Sequence, residues 1–168
     1  MINETDGLSP EETLVELLKQ KKAKISVAES FTGGNVSARI VSVSGASKVF
    51  YEGIVAYDSE AKEKRLYVSH SSILDDKPVS ARVAEEMAKG LIATEKVDLS
   101  VSTTGIAGPE SDDSNFPVGL CYIGVATKDG ATSYKYNFSG SREEIIEKGT
   151  KEALLLAIKT IKNCNIRR

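Results

Sequence analysis

Ser30 ends the apolar run Ile25–Ala28 and stands just ahead of Gly33-Gly34. Open α/β sheets tend to place ligand-contacting residues at such strand-to-turn junctions, which makes Ser30 a candidate nucleophile. A serine in the same place also caps a following helix with its hydroxyl, and the sequence leaves both readings open. A nucleophilic serine needs a base, and the chain has one histidine, His70, in a polar stretch. A Ser-His-Asp triad and an HExxH zinc site therefore lack their parts. Lysine serves instead where burial lowers its pKa from ~10.4 toward ~7–8. Composition cannot choose among so many lysines.

Two glycine turns point to an anion. Gly33-Gly34 and Gly105-Ile106-Ala107-Gly108-Pro109 each follow a strand-like run, and backbone N–H groups exposed at such turns can hold phosphate or carboxylate. Arg142 opens the last helical segment, where positive charge opposes the helix dipole. It suits a bound anion, or else a salt bridge to Glu143 or another neighbour. Neither turn has the GxGxxG spacing and no GxxxxGK[ST] is present, so the ATP and dinucleotide motifs are missing.

The chain must supply elements to position these groups. Its 168 residues suit one domain with one core. Lys plus Arg (22) against Asp plus Glu (24) gives a net charge of −2, so no global positive field draws nucleic acid or anionic lipid. Cys121 and Cys164 are far apart, with no CxxC and no histidine cluster. Neither a zinc site nor a disulfide framework is expected, and no metal or cofactor is called for. The start MINETDGLSPEE lacks a signal peptide's basic and apolar regions, and no apolar run is long enough to span a bilayer. The expected location is cytoplasmic.

Ser9-Pro10-Glu11-Glu12 forms a helix start with a capping box, followed by Leu14, Leu17 and Leu18 on one face. Ile25–Ala28 predicts a strand, and a helix carrying Val36, Ile40 and Val41 follows Gly33-Gly34. Residues 49–57 predict a second strand, then a helix through Lys62 to Leu66 capped by Asp58 or Ser59. Residues 69–78 are polar, end near proline, and predict a surface loop. Ser80 caps a helix whose Val83, Ala84, Met87, Ala88, Leu91 and Ile92 recur at core spacing. Leu99–Thr104 is a further strand; 118–127 and 132–138 flank Lys128-Asp129-Gly130 as an antiparallel hairpin, so the sheet is mixed. Ser141-x-x-Glu144 opens a last helix reaching Ile161. Residues 1–8 and 163–168 are expected to fray.

From about Val27 to Leu156 the chain resembles the CinA C-terminal domain family, the nicotinamide-nucleotide amidases. The resemblance rests on 28–34 (AESFTGG), Tyr57 with Glu60-Ala61-Lys62, Val79-Ser80, Thr104–Pro109, Pro117-Val118-Gly119 and Phe138–Glu143. It implies a single-domain, three-layer α/β/α sandwich with a mixed, mostly parallel sheet, in a stand-alone form that self-associates as a homo-oligomer. It also implies a Ser/Lys amidohydrolase that deamidates nicotinamide mononucleotide to nicotinate mononucleotide and ammonia, without cofactor or metal. Carried over by motif, Ser30 is the nucleophile, Lys62 its base and Tyr57 a supporting hydroxyl. Thr32, Gly33, Gly34, Thr104, Gly105 and Arg142 line the substrate site, with backbone donors at the first turn serving an oxyanion. Partners reduce to a small nucleotide substrate, with no nucleic acid and no membrane. The alternative is a catalytically silent nucleotide-binding or interaction module of the same fold. The sequence departs from the family pattern at Phe31, usually cysteine, at 75–78, and at 110–116, usually glycine-rich, where Glu110, Asp112 and Asp113 would repel a phosphate they faced.

Overall fold

The computed structural model describes residues 7–111 and 115–164. Capping decides where its helices begin. Ser9 and Ser141 each complete a capping box with the glutamate three residues on, starting α1 (Pro10–Lys21) and α6 (Arg142–Asn163). Asp58 and Ser80 cap α3 (Ser59–Leu66) and α5 (Ala81–Ile92). Between them lie β1 (Ile25–Glu29), α2 (Asn35–Val41), β2 (Phe50–Val55), α4 (His70–Asp76), β3 (Leu99–Gly105), β4 (Leu120–Thr127) and β5 (Gly130–Asn137).

The five strands form one sheet in the order β2-β1-β3-β4-β5. β1 pairs in parallel with β2 and β3, whereas β3–β4 and β4–β5 are antiparallel, so four strands point one way and β4 the other. All five β1 residues are buried, as expected of a central strand covered on both faces. Helices α1, α2 and α6 pack on one face around Leu14, Leu18, Ile40, Leu154 and Ile161. Helices α3, α4 and α5 cover the other, with Leu66, Val83, Met87 and Leu91 against Ala28. This is the expected three-layer α/β/α sandwich. Among the described residues, no helix is long and apolar enough to cross a membrane.

One expected loop is a helix. Residues 69–78 contain α4, because Ser69 caps it by accepting the Ser72 N–H and because Ile73 is buried against α5. Glu86, on α5, completes the anchor: it accepts the Ser69 N–H at 2.9 Å and the Ser72 hydroxyl at 2.7 Å. Partial burial pushes the Glu86 carboxyl up, but these two donors and Arg82 together hold it below the usual carboxylate value. The C-terminal boundary also differs. Asn163 still belongs to α6, and Lys21 Nζ donates to the carbonyls of Lys162 and Cys164, satisfying the helix end. Of the expected frayed tails, 1–6 and 165–168 lie outside the described residues, as do Asp112 and Asp113 of the acidic stretch.

Candidate active site

Strands β1, β2 and β3 end at the same edge of the sheet, and a cleft of about 370 Å³ opens there. Ser30 follows β1, Tyr57 lies just beyond β2, and Gly105 closes β3; all three line the cleft. Lys62 enters from the first turns of α3 and Arg142 from the first residue of α6. This is the carboxyl-end crevice where parallel strands place ligands.

Lys62 is 3% exposed. Its Nζ lies 3.4 Å from Thr104 Oγ1, which in turn donates to the Pro78 carbonyl at 2.8 Å. Thr104 therefore orients the lysine from behind: it is fully buried and, contrary to the expectation, does not itself line the cleft. Arg142 donates to the Gly108 carbonyl and, at 3.3 Å, to the Tyr57 hydroxyl. It thus joins α6 to the second glycine turn and to the mouth of the cleft, rather than pairing with Glu143. Tyr57 is 65% exposed, so its ring stands at the entrance. Glu110 also lines the wall and is exposed.

The first glycine turn behaves differently. Thr32, Gly33 and Gly34 do not line the cleft, and Thr32 is fully buried. The cap position of α2 is Gly34, with no capping side chain of its own. The Glu29 carboxylate takes the N–H groups of Gly34, Val36 and Ser37 instead. Gly33 N–H donates to the Ser30 carbonyl at 3.2 Å. The glycine N–H groups expected to hold an anion or oxyanion are thus already committed within the chain, and Ser30 is not the cap of α2. Glu29 escaped the sequence reading. The signal available was an acidic residue ending an apolar strand, ahead of a helix whose cap position holds glycine.

Phe31, at the position departing from the family pattern, is 4% exposed and wedged between β3 and α6. A Cβ on Gly149 would lie 2.3 Å from its ring and one on Gly105 2.7 Å away. Both glycines make room for the larger side chain. Among the described residues, no three His, Cys, Asp or Glu side chains gather as a metal site would require.

The family model of the CinA C-terminal domain matches residues 8–161. A protein of Caldicellulosiruptor saccharolyticus, named provisionally as competence-damage inducible, is 48% identical over 158 residues, covering 94% of this chain and 38% of its own length. A CinA-like protein of Flavobacterium psychrophilum is 42% identical over 159 residues, with 92% and 38% covered. The chain thus spans less than two-fifths of the curated relatives it matches. Among solved structures, the competence-damaged protein (CinA) superfamily protein of Escherichia coli aligns with a TM-score of 0.83 at 29% identity, over 94% of each chain. One from Klebsiella pneumoniae reaches 0.88 at 21% identity, covering 92% of this chain and 97% of its own, a likeness of fold. With nearly all of its sheet and helices inside the matched span, the chain belongs to the CinA C-terminal domain family.

Proposed function

We propose that the chain is a Ser/Lys amidohydrolase that deamidates nicotinamide mononucleotide. The observation that carries this reading is the buried Lys62 sharing one cleft with Ser30, while Tyr57 and Arg142 stand at its mouth. Neutral Lys62 takes the Ser30 proton and the alkoxide attacks the carboxamide carbon. The tetrahedral intermediate collapses as Lys62 returns the proton to the leaving nitrogen, releasing ammonia. Water, deprotonated by Lys62, then cleaves the acyl-serine to the carboxylate and restores the hydroxyl. Arg142 supplies a planar, permanently charged fork suited to the nucleotide phosphate. Tyr57 orients that fork through its hydroxyl.

The second reading is a silent nucleotide-binding module of the same fold, favoured by the Glu110 carboxylate on the cleft wall, which repels a phosphate. Purified protein incubated with nicotinamide mononucleotide separates the two. Ammonia and nicotinate mononucleotide in equal amounts support the amidase. Binding without ammonia, at enzyme concentrations comparable to the substrate, supports the module.

A further inference from the structure

Glu29 is the last residue of β1, has no solvent exposure and directly precedes Ser30. Its carboxylate accepts five hydrogen bonds: from Thr32 Oγ1 (2.6 Å), Gly34 N (3.1 Å), Val36 N (3.0 Å), Ser37 N (2.9 Å) and Ser37 Oγ (2.7 Å). Three backbone dipoles at the start of α2 and two hydroxyls thus solvate it in place of water. Burying a carboxylate is costly unless all its lone pairs are served, and here they are. Glutamine would fit the space but turn N–H donors toward N–H donors.

The network continues into β3. Thr32 and Thr103 hydroxyls lie 2.8 Å apart. Thr32 has one hydroxyl proton and gives it to Glu29, so Thr103 donates to Thr32. The Thr103 carbonyl also accepts the Ser30 N–H at 3.0 Å. The Ser30 backbone is therefore held at both ends, its N–H by the strand beside it and its carbonyl by Gly33, within the turn that the Glu29 carboxylate closes through Thr32 and Gly34. The cap position of α2 is Gly34, which has no side chain to offer the helix N–H groups. Glu29 serves them from the end of β1, while Ser30, the next residue, lines the cleft.

We propose that Glu29 is a positioning residue that aims Ser30 at Lys62 by fixing the turn that carries it, through the α2 N–H groups that Gly34 has no side chain to cap. The proposal rests on Ser30 as the reacting group, and its test does not need the substrate to be correct. In a Ser30→Cys background, iodoacetamide alkylation of the introduced thiol is followed by peptide mass spectrometry, which separates it from Cys121 and Cys164. Lys62→Met should lower that rate about tenfold, because Lys62 takes the thiol proton and the ammonium so formed stabilises the thiolate. Adding Glu29→Gln should shrink the Lys62→Met effect to about twofold or less, since a displaced thiol no longer senses the lysine. With Ser30 intact, Glu29→Gln should lower kcat by about 10²-fold per folded molecule with little change in KM. If Glu29→Gln does not fold, Thr32→Val cuts the link to Thr103 while keeping the carboxylate, and the same coupling should weaken. Undiminished coupling, or none even with Glu29 present, overturns the proposal. Coupling that depends on Glu29 in a protein whose wild type releases no ammonia upholds it and sinks only the amidase reading.

Discussion

The turn after β1 and the turn after β3 are near neighbours in the sheet and look alike in sequence, each a strand running into paired glycines. Their glycines serve different ends. Gly33 and Gly34 adopt φ of 59° and 103°, conformations that side chains resist, and a Cβ on Gly33 would meet nothing within 4 Å. Gly105 has no such backbone demand; a Cβ there would lie 2.6 Å from the Leu120 carbonyl oxygen and 2.7 Å from Phe31. The first turn is folded around Glu29 and closed to ligands. The second lines the cleft and offers the Gly108 carbonyl to Arg142. A glycine-rich turn after a strand is thus no guarantee of a phosphate cradle, because the chain can supply the anion itself.

The largest expected effect tests whether the closed turn exists to present Ser30. Ser30→Ala should cut kcat by about 10⁴-fold or more while leaving the melting temperature within a few degrees. Lys62→Met should cost a similar factor, and the double variant little more than either, as groups acting as a unit do. Single-turnover ammonia release beside thermal melts measures both. Full activity in well-folded Ser30→Ala protein removes the nucleophile and with it the purpose assigned to the first turn.

Next comes the contrast between the glycines. Gly105→Ala should destabilise by about 3 kcal/mol, since the colliding atoms are backbone and a packed ring. Gly33→Ala should cost only about 1–2 kcal/mol, the ordinary penalty of a left-handed residue with free space around it. Urea unfolding of both variants decides it. Equal losses would mean the two turns use glycine alike after all.

Arg142→Lys probes the open turn. Lysine keeps the charge but loses the planar fork that reaches both Gly108 and Tyr57. If Arg142 holds the substrate phosphate as proposed, KM should rise about tenfold with kcat nearly unchanged, because such a contact is equal in ground and transition states. Steady-state kinetics showing a fall in kcat alone would place Arg142 at the reacting carbon instead.

Much of the frame was legible because it is local. Ser9 and Ser141 announce their helices within four residues, and Lys128-Asp129 marks the hairpin in which Thr127 pairs with Gly130. What escaped depends on distant partners. Helix α4 is polar in composition and is secured by Glu86, fourteen residues beyond Ser72. Lys62 differs from the other lysines through burial that only the packed layers create, so its candidacy came from the resemblance to a family rather than from its neighbours in sequence. Glu29 was in view as part of a motif, but its role depends on a helix start folding back over it. Ser30 and Arg142 could be chosen from their positions because strand ends and helix starts are themselves local features.

Glu86 supports the open turn from below, since α4 leads to Pro78, whose carbonyl takes the Thr104 hydroxyl. With its folded-state pKa depressed, Glu86 contributes fully above the unfolded-state value near ~4.3, and that contribution is lost as pH falls through the lower folded value. Glu86→Gln should therefore lower stability at neutral pH by about 1 kcal/mol, or roughly 2–4 °C in melting temperature. The gap should close in acid. A gap that persists at pH values below the folded pKa would assign the loss to shape rather than charge.

The smallest effect lies just upstream of the closed turn. Ser26 in β1 is fully buried, and its hydroxyl is the one buried side-chain polar atom without a partner among the described residues. Ser100, its register partner on β3, donates instead to the Ala88 carbonyl, and Ser102 donates to that of Ala84, so the neighbouring serines pin the sheet to α5. Ser26 has no such carbonyl. A buried hydroxyl without a partner has lost its water and gained nothing, so Ser26→Ala should be neutral or stabilising by up to about 1 kcal/mol. Ser100→Ala should instead cost about 1 kcal/mol, because it leaves the strand-to-helix tie unmade. Paired urea titrations of the two variants read opposite signs if the polar network of β1 begins only at Glu29. A loss in Ser26→Ala as large as that in Ser100→Ala would show a partner for Ser26 in solution, and the network would then extend back along the strand.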